Sequence, residues 1–154
     1  MGSMSYRIAI VYTSITGNTK ELVDILGDLF LVRDVELRVM QAHEIRLNKL
    51  NEYDAIVIGS YTWGNGEIPP EMLPLYRAFE EQEVKSVITG IVGTGDQFYP
   101  YFCGAVDEFR DMLYVHTGLA ATLKVELAPQ AEDKVRCQSF VEVLLNRLEE
   151  RTLG

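Results

Sequence analysis

The chain has 154 residues, 47% of them hydrophobic, with a formal net charge of −9. That length suits one domain with a core of its own, and the acidic balance argues against nucleic acid or an anionic membrane as partner. No apolar run reaches the ~18 residues that a bilayer span needs, and no basic leader precedes an apolar stretch, so a cytoplasmic location is expected; a monomer is expected separately.

Met1-Gly2-Ser3 resembles a cloning remnant, which leaves one domain over 4–151. The first element is Tyr6–Tyr12, a short apolar run of strand formers. Leu22, Ile25, Leu26, Leu29 and Phe30 then keep helical spacing. Val35, Leu37 and Val39 alternate with the charged Glu36 and Arg38, as expected of a sheet edge. Ala55–Tyr61 and residues 87–92 are continuous apolar runs, the pattern of strands covered on both faces. Between them, Met72, Leu75, Tyr76 and Phe79 form a helical stripe after Pro69-Pro70, and proline suits a helix start. Val106, Phe109 and Leu113 mark a third helix. Leu123, Val125 and Leu127 alternate with Lys124 and Glu126 as a second edge strand. Cys137, Phe140, Val141, Leu144, Leu145 and Leu148 form the last helical stripe.

Strand and helix alternate throughout, which implies right-handed crossovers and an α/β three-layer sandwich. Two edge strands and three central ones fit a five-stranded parallel sheet in the order 2-1-3-4-5. Ligands in such sheets bind where the strand order reverses, beyond the carboxyl ends of the strands. The loops after strands 1, 3 and 4 are therefore where function is expected. Cys103 and Cys137 form no CxxC pair or metal spacing, so two reduced thiols are expected, and His43 and His116 are isolated.

The first of these loops, residues 13–19, is rich in hydroxyls and has one glycine ahead of a helix, a natural anion site. It is neither GxxxxGK[ST] nor GxGxxG, and it lacks the clustered acids of receiver domains; ordinary capping by Ser and Thr is the plainer meaning. The second, residues 60–69, holds the only tryptophan, Trp63, beside Gly64-Asn65-Gly66, where glycine permits a turn or a peptide that reorients. The third, residues 93–105, carries four aromatic rings between Phe98 and Phe102.

SITGNT (residues 14–19) resembles the flavodoxin phosphate loop, T/S-x-T-G-x-T; TWG (residues 62–64) and GxGDxxYxxFCGA (residues 93–105) resemble the two flavin-ring loops of that family. With no extra segment inside strand 5, the chain is similar to the short-chain bacterial type. The resemblance implies a flavodoxin-like fold and non-covalent FMN. It implies cofactor contacts from Ser14, Ile15, Thr16, Gly17, Asn18 and Thr19; from Ser60, Tyr61, Thr62, Trp63, Gly64 and Asn65; and from Thr94, Gly95, Asp96, Tyr99, Tyr101, Phe102 and Cys103. Trp63 and Tyr99 would cover the two ring faces, the Gly64-Asn65 peptide would reorient when flavin N5 gains a proton, and Asp96, Tyr101 and Cys103 would meet the pyrimidine edge through their backbones. The implied activity is low-potential single-electron carriage between a flavin-containing reductase and acceptor enzymes. Nine acids against three bases between Glu67 and Asp111 suit basic partner surfaces. An FMN-dependent quinone or NAD(P)H reductase is the alternative, and covered ring faces argue against it.

Overall fold

β1 (Tyr6–Tyr12) is buried from Ile8 onward because its alternate side chains enter two different cores. Ile8 and Ile10 join a cluster with Leu22, Leu26 and Phe30 of α1 (Asn18–Leu31) and Phe140, Leu144 and Leu148 of α4 (Ala131–Leu153). Ala9 and Val11 join the opposite cluster, with Leu75 and Phe79 of α2 (Leu73–Glu81) and Phe109 and Leu113 of α3 (Gly104–His116). β3 (Ala55–Tyr61) divides in the same way: Ala55 and Val57 face the first cluster, Ile56 and Ile58 the second. Fully burying each large aliphatic side chain contributes about 1.5–3 kcal/mol, so these central strands carry much of the stability.

The structure, a computed structural model, describes residues 5–98 and 101–153. β2 (Val35–Gln41), β4 (Ile88–Gly95) and β5 (Gly118–Glu126) complete a five-stranded sheet in the order β2-β1-β3-β4-β5, all pairs parallel, as the sequence pattern predicts. Ile8 pairs with Ala55, and Ala55 with Ile88, so the carboxyl ends of the three central strands finish side by side. The register between β4 and β5 shifts between Thr89 and Gly90, where Phe140 of α4 crosses so closely that a Cβ on Gly90 would lie 2.5 Å from its ring.

Four details depart from the sequence pattern. A 3-10 segment, Leu47–Glu52, precedes β3 and buries Leu50. The helix after Pro69 begins as a separate 3-10 turn, Pro70–Met72, before α2 starts at Leu73. Val39 of the edge strand β2 is exposed, although it alternates with charged residues. Leu127 lies beyond β5 with φ 53°, so it is not the strand's last inward residue.

Candidate functional site

β1, β3 and β4 end at Tyr12, Tyr61 and Gly95, and the loops that leave them surround one cleft of about 520 Å³. Its wall takes Ile15, Thr16 and Asn18 from the first loop, Tyr61 to Gly66 from the second, and Thr94, Gly95, Asp96, Tyr101 and Cys103 from the third. That volume is within the ~300–1,000 Å³ usual for small-molecule sites, and the wall is mostly apolar with a few polar groups, as such sites require.

At the first loop, Gly17 takes φ 92°, which places the chain to enter α1. Ser14 Oγ accepts the N–H of Gly17 (3.1 Å) and of Lys20 (3.4 Å), so this hydroxyl organises the turn itself. The first-turn N–H groups of Asn18 and Thr19 have no acceptor within the helix and lie at its positive end. Thr19 is buried, and its hydroxyl shares a 2.8 Å hydrogen bond with Thr94 at the end of β4, joining the first loop to the third. Lys20, in the first turn of α1, is paired with Asp24 at 2.9 Å. α1 comes this close to the sheet because Gly59 has no side chain: a Cβ there would lie 2.9 Å from Val23 Cγ2.

The second and third loops lie backbone against backbone. A Cβ on Gly104 would fall 2.6 Å from both Cα and O of Gly66, and one on Gly66 would fall 2.7 Å from Tyr101 Cβ. Thr62 Oγ1 accepts the Ala105 N–H at 3.2 Å, a cap for α3 supplied by another loop. Trp63 and Glu67 exchange backbone hydrogen bonds of 2.8 and 2.7 Å, which closes Gly64-Asn65-Gly66 into a tight turn with φ 52° at Gly64 and 96° at Gly66. Trp63 itself is 47% exposed, its ring free to cover a ligand.

Cys103 precedes α3 with φ 52°, is buried, and directs its thiol toward the carbonyl of Gly93 at 3.7 Å. Burial pushes that thiol up to about 12, against the opposing pull of Lys124. Lys124 Nζ also donates to the Phe102 carbonyl (3.4 Å) and pairs with Asp107 (2.9 Å), a cation beneath the third loop that a scan of loop residues alone does not find. Burial, then the hydrogen bond to Glu71, pushes Tyr61 to about 12.

Of the residues predicted to touch a cofactor, Ile15, Thr16, Asn18, Tyr61, Thr62, Trp63, Gly64, Asn65, Thr94, Gly95, Asp96, Tyr101 and Cys103 meet on this wall. Gly17 adjoins it. Ser14, Thr19 and Ser60 do not line it; Thr19 and Ser60 are buried, the Ser60 hydroxyl donating to the Tyr61 carbonyl at 2.7 Å. Phe102 packs against the core on the α2–α3 side of the sheet. Tyr99 lies outside the described residues. Two wall residues were not among those predicted. Gly66 was visible in the sequence as part of the turn; Leu127 left no signal, because its position depends on a positive φ after β5 and on its N–H bonding to Gly95 O at 2.8 Å. Among the described residues no cluster of three or more His, Cys, Asp or Glu is placed to hold a metal, and no helix is long and apolar enough to cross a membrane.

The fold and the cleft define a class: a doubly wound α/β protein with a cleft at the switch point of its sheet, the place where proteins of this class bind ligands. The sequence comparisons narrow that class. The flavodoxin family profile matches residues 10–137. A probable flavodoxin 1 of Bacillus subtilis strain 168 is 33% identical over 143 residues, covering 90% of each chain. Among solved structures, the flavodoxin of Streptococcus pneumoniae TIGR4 superposes with a TM-score of 0.85 at 34% identity, over 92% of this chain and 99% of that one. Oxidised flavodoxin 2 of Bacillus cereus gives 0.84 at 32%, over 92% and 99%. The chain belongs to the flavodoxin family and is thereby an FMN-binding electron-transfer protein rather than an enzyme.

Proposed function

We propose that this chain carries electrons one at a time, at low potential, between a flavin-containing reductase and acceptor enzymes with basic surfaces, and that its FMN sits across the three loops. The observation that carries this reading is the meeting of all three loops on one cleft.

The residues present suit FMN. Thr16, Asn18 and the open N–H groups at the start of α1 would hold the phosphate with neutral donors. Trp63 would cover one ring face, and the resemblance assigns Tyr99 the other. The pyrimidine edge would meet backbone groups of Asp96, Tyr101 and Cys103, and the Gly64-Asn65 peptide would lie by N5. FMN supplies the redox chemistry; the protein orients it, shields it from water and sets the charge around it.

That charge favours a low potential. None of the described wall residues is basic, Asp96 is acidic, and Lys20 is engaged with Asp24. Apolar walls make added negative charge costly. Potentiometric titration of the FMN-loaded protein is expected to resolve two one-electron steps, the second well below the potential of free FMN. A single two-electron step near the free value would contradict the reading. Transfer to a basic partner is expected to slow as salt rises, because screening weakens electrostatic steering.

A further inference from the structure

Glu71 lies outside the cleft wall, on the 3-10 turn ahead of α2, and the sequence pattern counts it only among the acids of residues 67–111. Its Oε2 accepts two hydroxyl hydrogens, one from Thr13 at 2.9 Å and one from Tyr61 at 2.6 Å. Thr13 opens the first loop, where the phosphate would bind. Tyr61 closes β3 and opens the loop that carries Trp63. One carboxylate oxygen thus joins the phosphate half of the site to the ring half. Burial alone would raise this carboxyl. The hydroxyls of Tyr61 and Thr13 and its own N–H outweigh that effect and hold it below the usual carboxylate range, so the clamp is ionised near neutral pH.

Among the described residues, two further hydrogen bonds from threonine hydroxyls link the first, second and third loops, Thr19 to Thr94 and Thr62 to Ala105. Neither joins the first loop to the second. Thr13 N–H does bond to the Gly59 carbonyl at 3.0 Å, but that contact continues the sheet and leaves the side chains beyond it unfixed.

We infer that Glu71 is a positioning residue that fixes the phosphate loop in register with the Trp63 loop, so that a ligand carrying both a phosphate and a flat ring engages both at once. This rests on the FMN reading above. Its consequence is selective. A ligand with two linked parts gains affinity only when both subsites stand at the right separation. Riboflavin, which lacks the phosphate, uses the ring subsite alone and is indifferent to the register.

The test is titration of the apoprotein with FMN and, separately, with riboflavin. Glu71→Ala removes two hydrogen bonds at a partly exposed site. It is expected to weaken FMN binding ~5- to 20-fold and to leave the riboflavin dissociation constant within about twofold of wild type. Glu71→Gln, whose amide oxygen can accept the same hydrogens, should recover most of the FMN affinity. If the alanine variant is too unstable to titrate, Thr13→Val cuts the same clamp at the first loop and should show the same selectivity. FMN binding like wild type in the clamp-free protein overturns the inference. So does an equal loss for FMN and riboflavin, which would mark a purely structural contribution. Failure of the wild type to bind FMN is a separate result, and it would sink the proposed function instead.

Discussion

The two ends of the sheet solve opposite problems with the same kinds of groups. At the amino ends, polar groups close on one another. Asp54 accepts the Arg7 N–H at 2.8 Å through one carboxylate oxygen and Arg151 at 2.9 Å through the other. Arg151 also donates to the carbonyls of Ser86 (2.9 Å) and Asp54 (3.3 Å), which fastens the last turn of α4 under the strands. At the carboxyl ends, hydrogen bonds run between loops and leave a cleft open. Gly17, Gly64, Gly66, Cys103 and Leu127, the described residues with positive φ, all border or adjoin it. Three of these are glycines, which take positive φ freely, while Cys103 and Leu127 take it at a cost, and such strained residues gather at functional sites. One end of the sheet holds the molecule together; the other spends conformational freedom on a ligand.

Substitutions at each end should therefore separate affinity from stability. The largest effect is expected from Gly104→Ala, which sets a methyl group against the backbone of Gly66. FMN affinity, measured by titration of the apoprotein, should fall by up to about a hundredfold, in line with the ~1–3 kcal/mol cost of overpacking. Retained affinity would show that the two loops need not touch. Trp63→Ala should cost about tenfold or more through lost ring stacking, with little change in the urea midpoint of the apoprotein. Asp54→Ala should do the reverse. Losing its bonds to Arg7 and Arg151 should lower apoprotein stability by about 1–2 kcal/mol in urea unfolding, with FMN affinity of the folded protein unchanged. A matching loss of affinity would erase the distinction between the two ends.

The smallest effect is a pH dependence. Tyr61 and Cys103 both lie on the cleft, and both are pushed up to about 12, from ordinary values of 10.0 and 9.0. Burial raises the Cys137 thiol as well. Above pH 9 the unfolded chain gives up protons that the folded one retains. Stability is thus fully present below that pH and declines as pH rises toward about 12. Urea midpoints at pH 8 and pH 10.5 should show the fall, and Tyr61→Phe should reduce it. A flat profile would mean that these groups are as accessible folded as unfolded.

Much of this arrangement could be read from the sequence. Continuous apolar runs marked β1, β3 and most of β4, because strands covered on both faces leave no polar face to alternate. β4 continues through Gly93-Thr94-Gly95, which no apolar pattern reveals: a Cβ on Gly93 would lie 2.4 Å from Val106 Cγ2 and 2.7 Å from the Ser60 carbonyl, so close packing selects glycine there. The first and second loops stand on the cleft wall as expected, because they leave neighbouring central strands at the point where the strand order reverses. Glu71, Lys124 and Leu127 were not legible. Each acts through a partner distant in sequence, and only the folded chain brings Glu71 to Thr13, Lys124 to Phe102 or Leu127 to Gly95.

Trp63 is the only tryptophan in the chain and stands on the cleft wall, so its fluorescence reports on the site directly. Titrating the apoprotein with FMN should quench that emission to a plateau at one equivalent, and the Gly104→Ala variant should need far more FMN to reach the same plateau. Emission that stays unchanged in excess FMN, or quenching that never saturates, would contradict the claim that the three loops close on a single flavin.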